Sequence, residues 1–231
     1  MFASLIPTKM INKLLFLAVF CTVMSLTTSC KDEKPGNSTA ATEAGKASEG
    51  AESYIVDTAG SVIEWAGSKQ IAKHSGTIKL SGGNVFVNNN VLESGNFTID
   101  MNSITVEDLK AGDGKEDLEA HLKGLNQEAD ADHFFNIKKY PVSRFEITKV
   151  STENGKATVE GNLTIKETTK NIKFPATIVV NGNTILMVSD VFEIDRTLWK
   201  VNYGSKSVYS DLSDKFIEDN IELKVTLKAS K

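Results

Sequence analysis

Ile221-Glu222-Leu223-Lys224-Val225-Thr226-Leu227-Lys228 alternates apolar and polar residues without a break. A period of two with every apolar side chain on one side marks a strand that buries one face. Earlier in the chain the same alternation returns. Phe97, Ile99 and Met101 alternate with Thr98 and Asp100, and Val159, Gly161, Leu163 and Ile165 alternate with Glu160, Asn162 and Thr164. Ile63 and Trp65 share a face opposite Val62 and Glu64. Gly82-Gly83, Asn88-Asn89-Asn90, Asn154-Gly155 and Asn181-Gly182 separate such runs and read as turns. Asn154-Gly155, between 145–150 and 156–165, is the clearest hairpin. Strands are expected near 54–58, 61–68, 70–80, 83–88, 92–102, 141–150, 156–167, 171–181, 184–196 and 218–229. That is more than a small barrel needs, so some are continuations of one long bent strand.

Residues 115–125 break the pattern: Leu118, Leu122 and Leu125 fall at helical spacing, with Gly124 near the end. They predict a short amphipathic helix lying against the strands. Few prolines and many antiparallel hairpins in ~180 residues favour one closed sheet over a sandwich. The expected fold is all-β, an eight-stranded antiparallel barrel over 53–231, which can hold one small ligand inside. With Trp65, Phe97, Phe145, Phe174, Phe192 and Trp199 pointing inward, the interior is apolar and elongated. Inward aromatics also arise from core packing alone.

The 231 residues carry 26 Lys+Arg against 30 Asp+Glu, a formal charge of −4. That balance argues against a nucleic-acid-binding surface. Both cysteines, Cys21 and Cys30, lie in the first thirty residues, so the expected barrel has no disulfide, cysteine nucleophile or cysteine metal ligand. The three histidines, His74, His121 and His133, show no His-x-x-x-His or His-x-His spacing, and no metal site is expected. His121, one place before Leu122, reads as a packing or capping residue. No Gly-x-Ser-x-Gly elbow, phosphate-binding loop or Gly-x-Gly-x-x-Gly is present. No local pattern nominates a catalytic group.

Lys9 and Lys13 precede the apolar run 14–21, which trails through Thr22-Val23-Met24 to Leu26. A basic start and a short apolar core read as a secretory signal peptide over 1–29; the alternative is an uncleaved membrane anchor. Leu26-Thr27-Thr28-Ser29-Cys30 resembles the lipobox of bacterial lipoproteins. In that class the cysteine becomes the N-terminus and receives a diacylglyceryl group and an acyl chain such as palmitate. The resemblance implies lipidation of Cys30 and a membrane held through an N-terminal anchor, where several acyl chains anchor stably. Lys31-Asp32-Glu33-Lys34 is similar to a surface-export signal of some Gram-negative lipoproteins, with a periplasm-facing anchor as the alternative. Residues 34–50 contain no aromatic and no large aliphatic residue. With the lipidated Cys30, residues 30–52 are expected to be a disordered tether.

Several phrases form an ordered series. They are Tyr54-Ile55-Val56-Asp57, Ser61-Val62-Ile63-Glu64-Trp65-Ala66-Gly67-Ser68-Lys69, His74-Ser75-Gly76, the stretch 95–104, His121-Leu122, Phe134-Phe135, Tyr140-Pro141, Phe145, Gly161-Asn162-Leu163-Thr164-Ile165, Thr169-Lys170, Phe174-Pro175 and Phe192-Glu193-Ile194-Asp195-Arg196. The series resembles the YceI-like family of polyisoprenoid-binding, lipocalin-like proteins across 53–228. The resemblance implies a lipocalin-like barrel around an isoprenoid or similar apolar chain, an exported or periplasmic location, no metal and no turnover. It implies an apolar lumen at Trp65, Phe97, Ile99, Met101, Leu122, Phe134, Phe135, Phe145, Leu163, Phe174, Phe192 and Trp199. Polar roles are implied for Lys69, His74, Asp195 and Arg196. The family's His-Leu and Phe-Phe phrases lie close together at the barrel mouth, whereas here residues 123–133 intervene. The function so implied is non-enzymatic binding, transport or sequestration of a polyisoprenoid, isoprenoid quinone or fatty-acyl lipid. The place is the Gram-negative envelope, as an outer-membrane lipoprotein. A homodimer is compatible with the resemblance, and no residue pattern demonstrates one. A tethered interaction scaffold with no small ligand, and an enzyme acting on a sequestered apolar substrate, are the rival readings.

Overall fold

The computed structural model describes residues 38–231. The expected signal peptide, Cys30 and the first residues of the expected tether lie outside the described residues. Within them the strands are β1 (Ser38–Ala40), β2 (Glu52–Val56), β3 (Val62–Lys69), β4 (Ala72–Asn88), β5 (Val91–Val106), β6 (Val142–Glu153), β7 (Lys156–Ile165), β8 (Thr168–Asn181), β9 (Thr184–Ser189), β10 (Phe192–Asp195) and β11 (Ile217–Ser230). One helix, α1 (Lys115–Lys123), follows β5.

All pairings are antiparallel. From β3 to β8 each strand pairs with the next; β9 pairs with β8 and β11, and β11 pairs back with β3. β2 prolongs β3 between β4 and β11, and β10 prolongs β9 along β11. The ring therefore has eight positions, the barrel expected from the alternation. Closure leaves the main strands without a free edge.

Two of the expected strands, 70–80 and 83–88, are one strand, β4. Gly82-Gly83 is a bend within it rather than a turn: the β4–β5 register shifts between Leu80 and Gly82. Gly83 has φ 150°, and a Cβ there would sit 2.3 Å from the Asn96 carbonyl oxygen. Glycine here lets the wall curve tightly. The Asn turns do reverse the chain. Asn89 and Asn90 (φ 49° and 65°), and Asn154 and Gly155 (φ 51° and 77°), put both central residues in the left-handed region that a two-residue hairpin demands. α1 ends at Gly124 (φ 72°), whose N–H caps the Ala120 and His121 carbonyls. Leu125, expected on the helix's apolar face, lies beyond this cap and is exposed.

The reading of 30–52 as a disordered tether fails over 38–51. β1 pairs with β8, Ser38 opposite Ile172 and Ala40 opposite Lys170. The chain then crosses the outer wall as a strap. The Asn162 side-chain amide grips both backbone groups of Thr42: Thr42 N–H donates to Oδ1 (3.1 Å) and Asn162 Nδ2 donates to the Thr42 carbonyl (2.7 Å). Asn171 Nδ2 donates to Thr42 Oγ1 (3.2 Å) and to Thr148 Oγ1 (3.0 Å). Gly45 N–H reaches the Ile147 carbonyl (2.9 Å), beside the bulge where the β6–β7 register shifts. A Cβ on Gly45 would lie 3.0 Å from that oxygen, so the close crossing suits glycine. Ser48 is held by Glu93. Hydrogen bonds, not apolar burial, order this segment.

The hairpins β4–β5, β6–β7 and β8–β9 gather at one end, the floor. Tyr54, Val85, Val87 and Leu92 are buried there, and Tyr54 donates its hydroxyl to the Gly182 carbonyl (2.7 Å). Above them the barrel is hollow.

Candidate functional site

A cavity of about 350 Å³ lies between the packed floor and the loops at the opposite end. This is the size range of small-molecule sites, which run to roughly 300–1,000 Å³. Four phenylalanines cross its wall as a continuous belt. Phe97 stacks on Phe145 (centroids 6.1 Å apart), Phe145 meets Phe174 (5.8 Å), and Phe174 stacks on Phe192 (4.5 Å). They come from β5, β6, β8 and β10, each at an inward position of its alternation. Trp65, Ile99, Met101 and Leu163 line the same space, and Leu122, Phe134 and Phe135 line it from α1 and the segment after it.

Trp199 is the exception among the apolar residues expected in the lumen. It is fully buried but away from the cavity, its indole N–H donating to the Leu163 carbonyl (2.9 Å). β10 ends at Asp195, and residues 196–199 form a 3-10 turn that breaks the strand alternation. Asp195 is misplaced for the same reason. It is absent from the cavity wall and caps this turn, accepting from Thr197 N–H (2.9 Å) and Thr197 Oγ1 (2.6 Å). The strand expected near 184–196 ends here in a strand-to-turn junction.

Arg196 does border the cavity, yet its guanidinium is spent on the backbone. It donates to the carbonyls of Val201 (2.6 Å), Glu218 (3.1 Å) and Ile217 (3.1 Å), and lies 3.7 Å from Asp219. Burial lowers its pKa against the opposing pull of Asp219 and Asp195. It stays charged and pins the 3-10 turn to the start of β11.

Lys69 and His74 stand at the mouth. His74 Nδ1 is 2.8 Å from Asp108 Oδ2, and Asp108 Oδ1 accepts the Ser75 N–H (2.8 Å). Burial pushes the Asp108 carboxyl up, but the Ser75 and His74 hydrogen bonds hold it below the usual carboxylate range. Asp108 thus orients the imidazole, leaving Nε2 as the group free to meet a ligand.

α1 and residues 134–137 close over the lumen together: Phe135 N–H donates to Leu122 O (3.1 Å) and Ile137 N–H to Lys123 O (3.0 Å). The intervening stretch loops outward through a 3-10 turn, Glu128–Asp130. The longer loop therefore leaves the His-Leu and Phe-Phe phrases in contact, with the His121 and Phe134 rings 5.1 Å apart.

An aromatic cluster that sequence reasoning did not foresee completes the mouth. His121 Nε2 is 3.1 Å from His133 Nδ1, His121 meets Tyr203 edge-on (4.9 Å), and Tyr203 stacks on His133 (4.1 Å). Burial lowers the His121 pKa, and His133 and Lys69 lower it further against Asp130. His121 and Tyr203 both line the cavity. Tyr203 sits in a loop without periodicity, which is why it carried no signal. Inside the lumen, Ser143 Oγ and Trp65 Nε1 have no hydrogen-bond partner in the described structure. Among the described residues no cluster of His, Cys, Asp and Glu could hold a metal ion.

The family model for the YceI-like domain matches residues 54–229. The chain belongs to the YceI-like family. None of the curated proteins matches it. Among solved structures, BcnA of Burkholderia cenocepacia is similar over 76% of this chain and 99% of its own, at 23% identity and a TM-score of 0.58. A polyisoprenoid-binding domain from Saccharophagus degradans, implicated in plant cell wall breakdown, is similar over 77% and 97%, at 13% identity and a TM-score of 0.52. At such identities these two likenesses speak for the fold. The strap over 38–51 precedes the region that the YceI-like model matches.

Proposed function

We propose that the barrel binds the hydrocarbon chain of a lipid, an isoprenoid, isoprenoid quinone or fatty-acyl compound, and carries or sequesters it without chemical turnover. The single observation behind this is a cavity walled by a belt of four phenylalanines, closed at the floor and ringed by polar groups at the mouth. Each buried CH₂ contributes about 0.8 kcal/mol, so five carbons give roughly 4 kcal/mol before binding costs. An exposed ion pair gives about 0–1 kcal/mol. The chain sets affinity, and Lys69, His74 and His121 at the mouth select the head group. The YceI-like membership and the polyisoprenoid-binding domain of similar fold support this ligand class. The lipobox-like stretch Leu26–Cys30 supports an anchor at a Gram-negative envelope membrane, where such lipids reside.

Titration with a fluorescent polyene fatty acid tests this reading. The wild-type chain is expected to take up the probe at one site. Leu163→Trp, which fills the lumen beside the phenylalanine belt, should weaken uptake about tenfold, the loss of roughly two methylenes of burial. Equal uptake by both proteins, or none by the wild type, would contradict the proposal.

A further inference from the structure

We infer that one sector of the cavity rim is a membrane-docking surface, and that its partner is a bilayer bearing anionic headgroups. Its purpose rests on the lipid-binding reading; its geometry does not. Ile71, at the tip of the β3–β4 hairpin, is 96% exposed. An aliphatic side chain so placed gains nothing from the fold. Val208 (46%) and Tyr209 (50%), in the loop before β11, are exposed at the same end. The two tips share one sector. Lys69 of the hairpin pairs with Ile217, and Ile217 N–H donates to Gly204 O (2.8 Å) at the loop's base. Lys69 and Tyr203 from these same segments line the cavity.

Charge selects the partner. The hairpin segment 69–73 and the loop 200–216 carry Lys69, Lys73, Lys200, Lys206 and Lys215 against Asp211 and Asp214, on a chain whose net charge is −4; Lys73 bridges Glu222 (2.7 Å) and Lys206 lies over the Phe216 ring, which leaves Lys69, Lys200 and Lys215 to meet anions. Beside it, α1 and the loop after it carry Glu116, Asp117, Glu119, Glu128, Asp130 and Asp132 against Lys115, Lys123, Lys138 and Lys139. Of these two segments the Ile71 sector carries the basic excess that suits an anionic surface. Lysines flanking an apolar tip and a tyrosine suit the interface, where the rings and stems enter and the ammonium groups meet phosphates. Docked through Ile71, the cavity opens onto lipid, and a chain passes in without crossing water.

The test places an environment-sensitive fluorophore on Ile71→Cys, on Val208→Cys, or on Asn154→Cys at the floor. Each is made in the full chain with Cys21→Ser and Cys30→Ser, and mixed with phosphatidylglycerol-containing or pure phosphatidylcholine vesicles. Labels at 71 and 208 should shift to the blue and be quenched by lipid-borne nitroxides, more on phosphatidylglycerol and less in high salt, while the label at 154 stays in water. Equal signals at all three positions, or none at 71 on vesicle-bound protein, would overturn the inference. Ile71→Asp should lower bilayer affinity about tenfold and leave uptake of the polyene fatty acid from solution unchanged. Insertion at 71 without any uptake would support docking and count against the lipid-binding reading alone. Uptake without insertion would do the reverse.

Discussion

Arg196 shows how a charged residue at a cavity wall can be structural. Its guanidinium donates to three carbonyls and so ties the 3-10 turn to β11. Arg196→Met removes every one of those donors and leaves Asp219 without its cation. We expect a loss of about 3–5 kcal/mol, read as a fall in Tm or in the denaturant midpoint. Arg196→Lys should rescue little, because an ammonium cannot reproduce the fork. His121 is the titrating counterpart. Its folded-state pKa lies below the ordinary value because of burial and the neighbouring His133 and Lys69. A depressed histidine contributes stability that is fully present above the unfolded pKa, ~6.5, and is lost as pH falls from there through the folded value. Unfolding free energy measured from pH 8 to 5 should therefore decline on the acid side of 6.5, and His121→Phe should flatten that decline.

The elements reveal what was legible in the sequence. Strands whose inward residues follow period two, such as β5, β7 and β11, were readable because burial writes itself into the alternation. So was the Asn154-Gly155 turn, whose φ values demand those residues. Three features were not. At Gly82-Gly83 glycine serves a bend, and composition alone does not separate a bend from a reversal. After Asp195 the chain changes from strand to 3-10 turn, so the phase that placed Phe192 in the lumen misplaces Trp199. The strap over 38–51 has almost no apolar content, and its order comes from Asn162 and Asn171, more than a hundred residues away. An entropy argument from composition does not see such a partner. Asn162→Ala removes both hydrogen bonds to the Thr42 backbone, each worth about 0.5–1.5 kcal/mol. Limited proteolysis should then cut within 38–51 in the variant and spare it in the wild type. Equal resistance would mean the strap is held elsewhere.

Over the whole molecule the two ends of the ring differ. Tyr54, Val85, Val87 and Leu92 fill the floor, while the belt from Phe97 to Phe192 surrounds space that the chain's own side chains leave open. A barrel built only for stability would close this void, since each unfilled methyl-sized gap costs about 1 kcal/mol. The most direct measurement is mass spectrometry of an organic-solvent extract of the protein purified from a bacterial envelope. A stoichiometric long-chain lipid, reduced in an extract of Leu163→Trp, is the expected result. An extract without lipid from folded wild-type protein, repeated across preparations, would contradict the account.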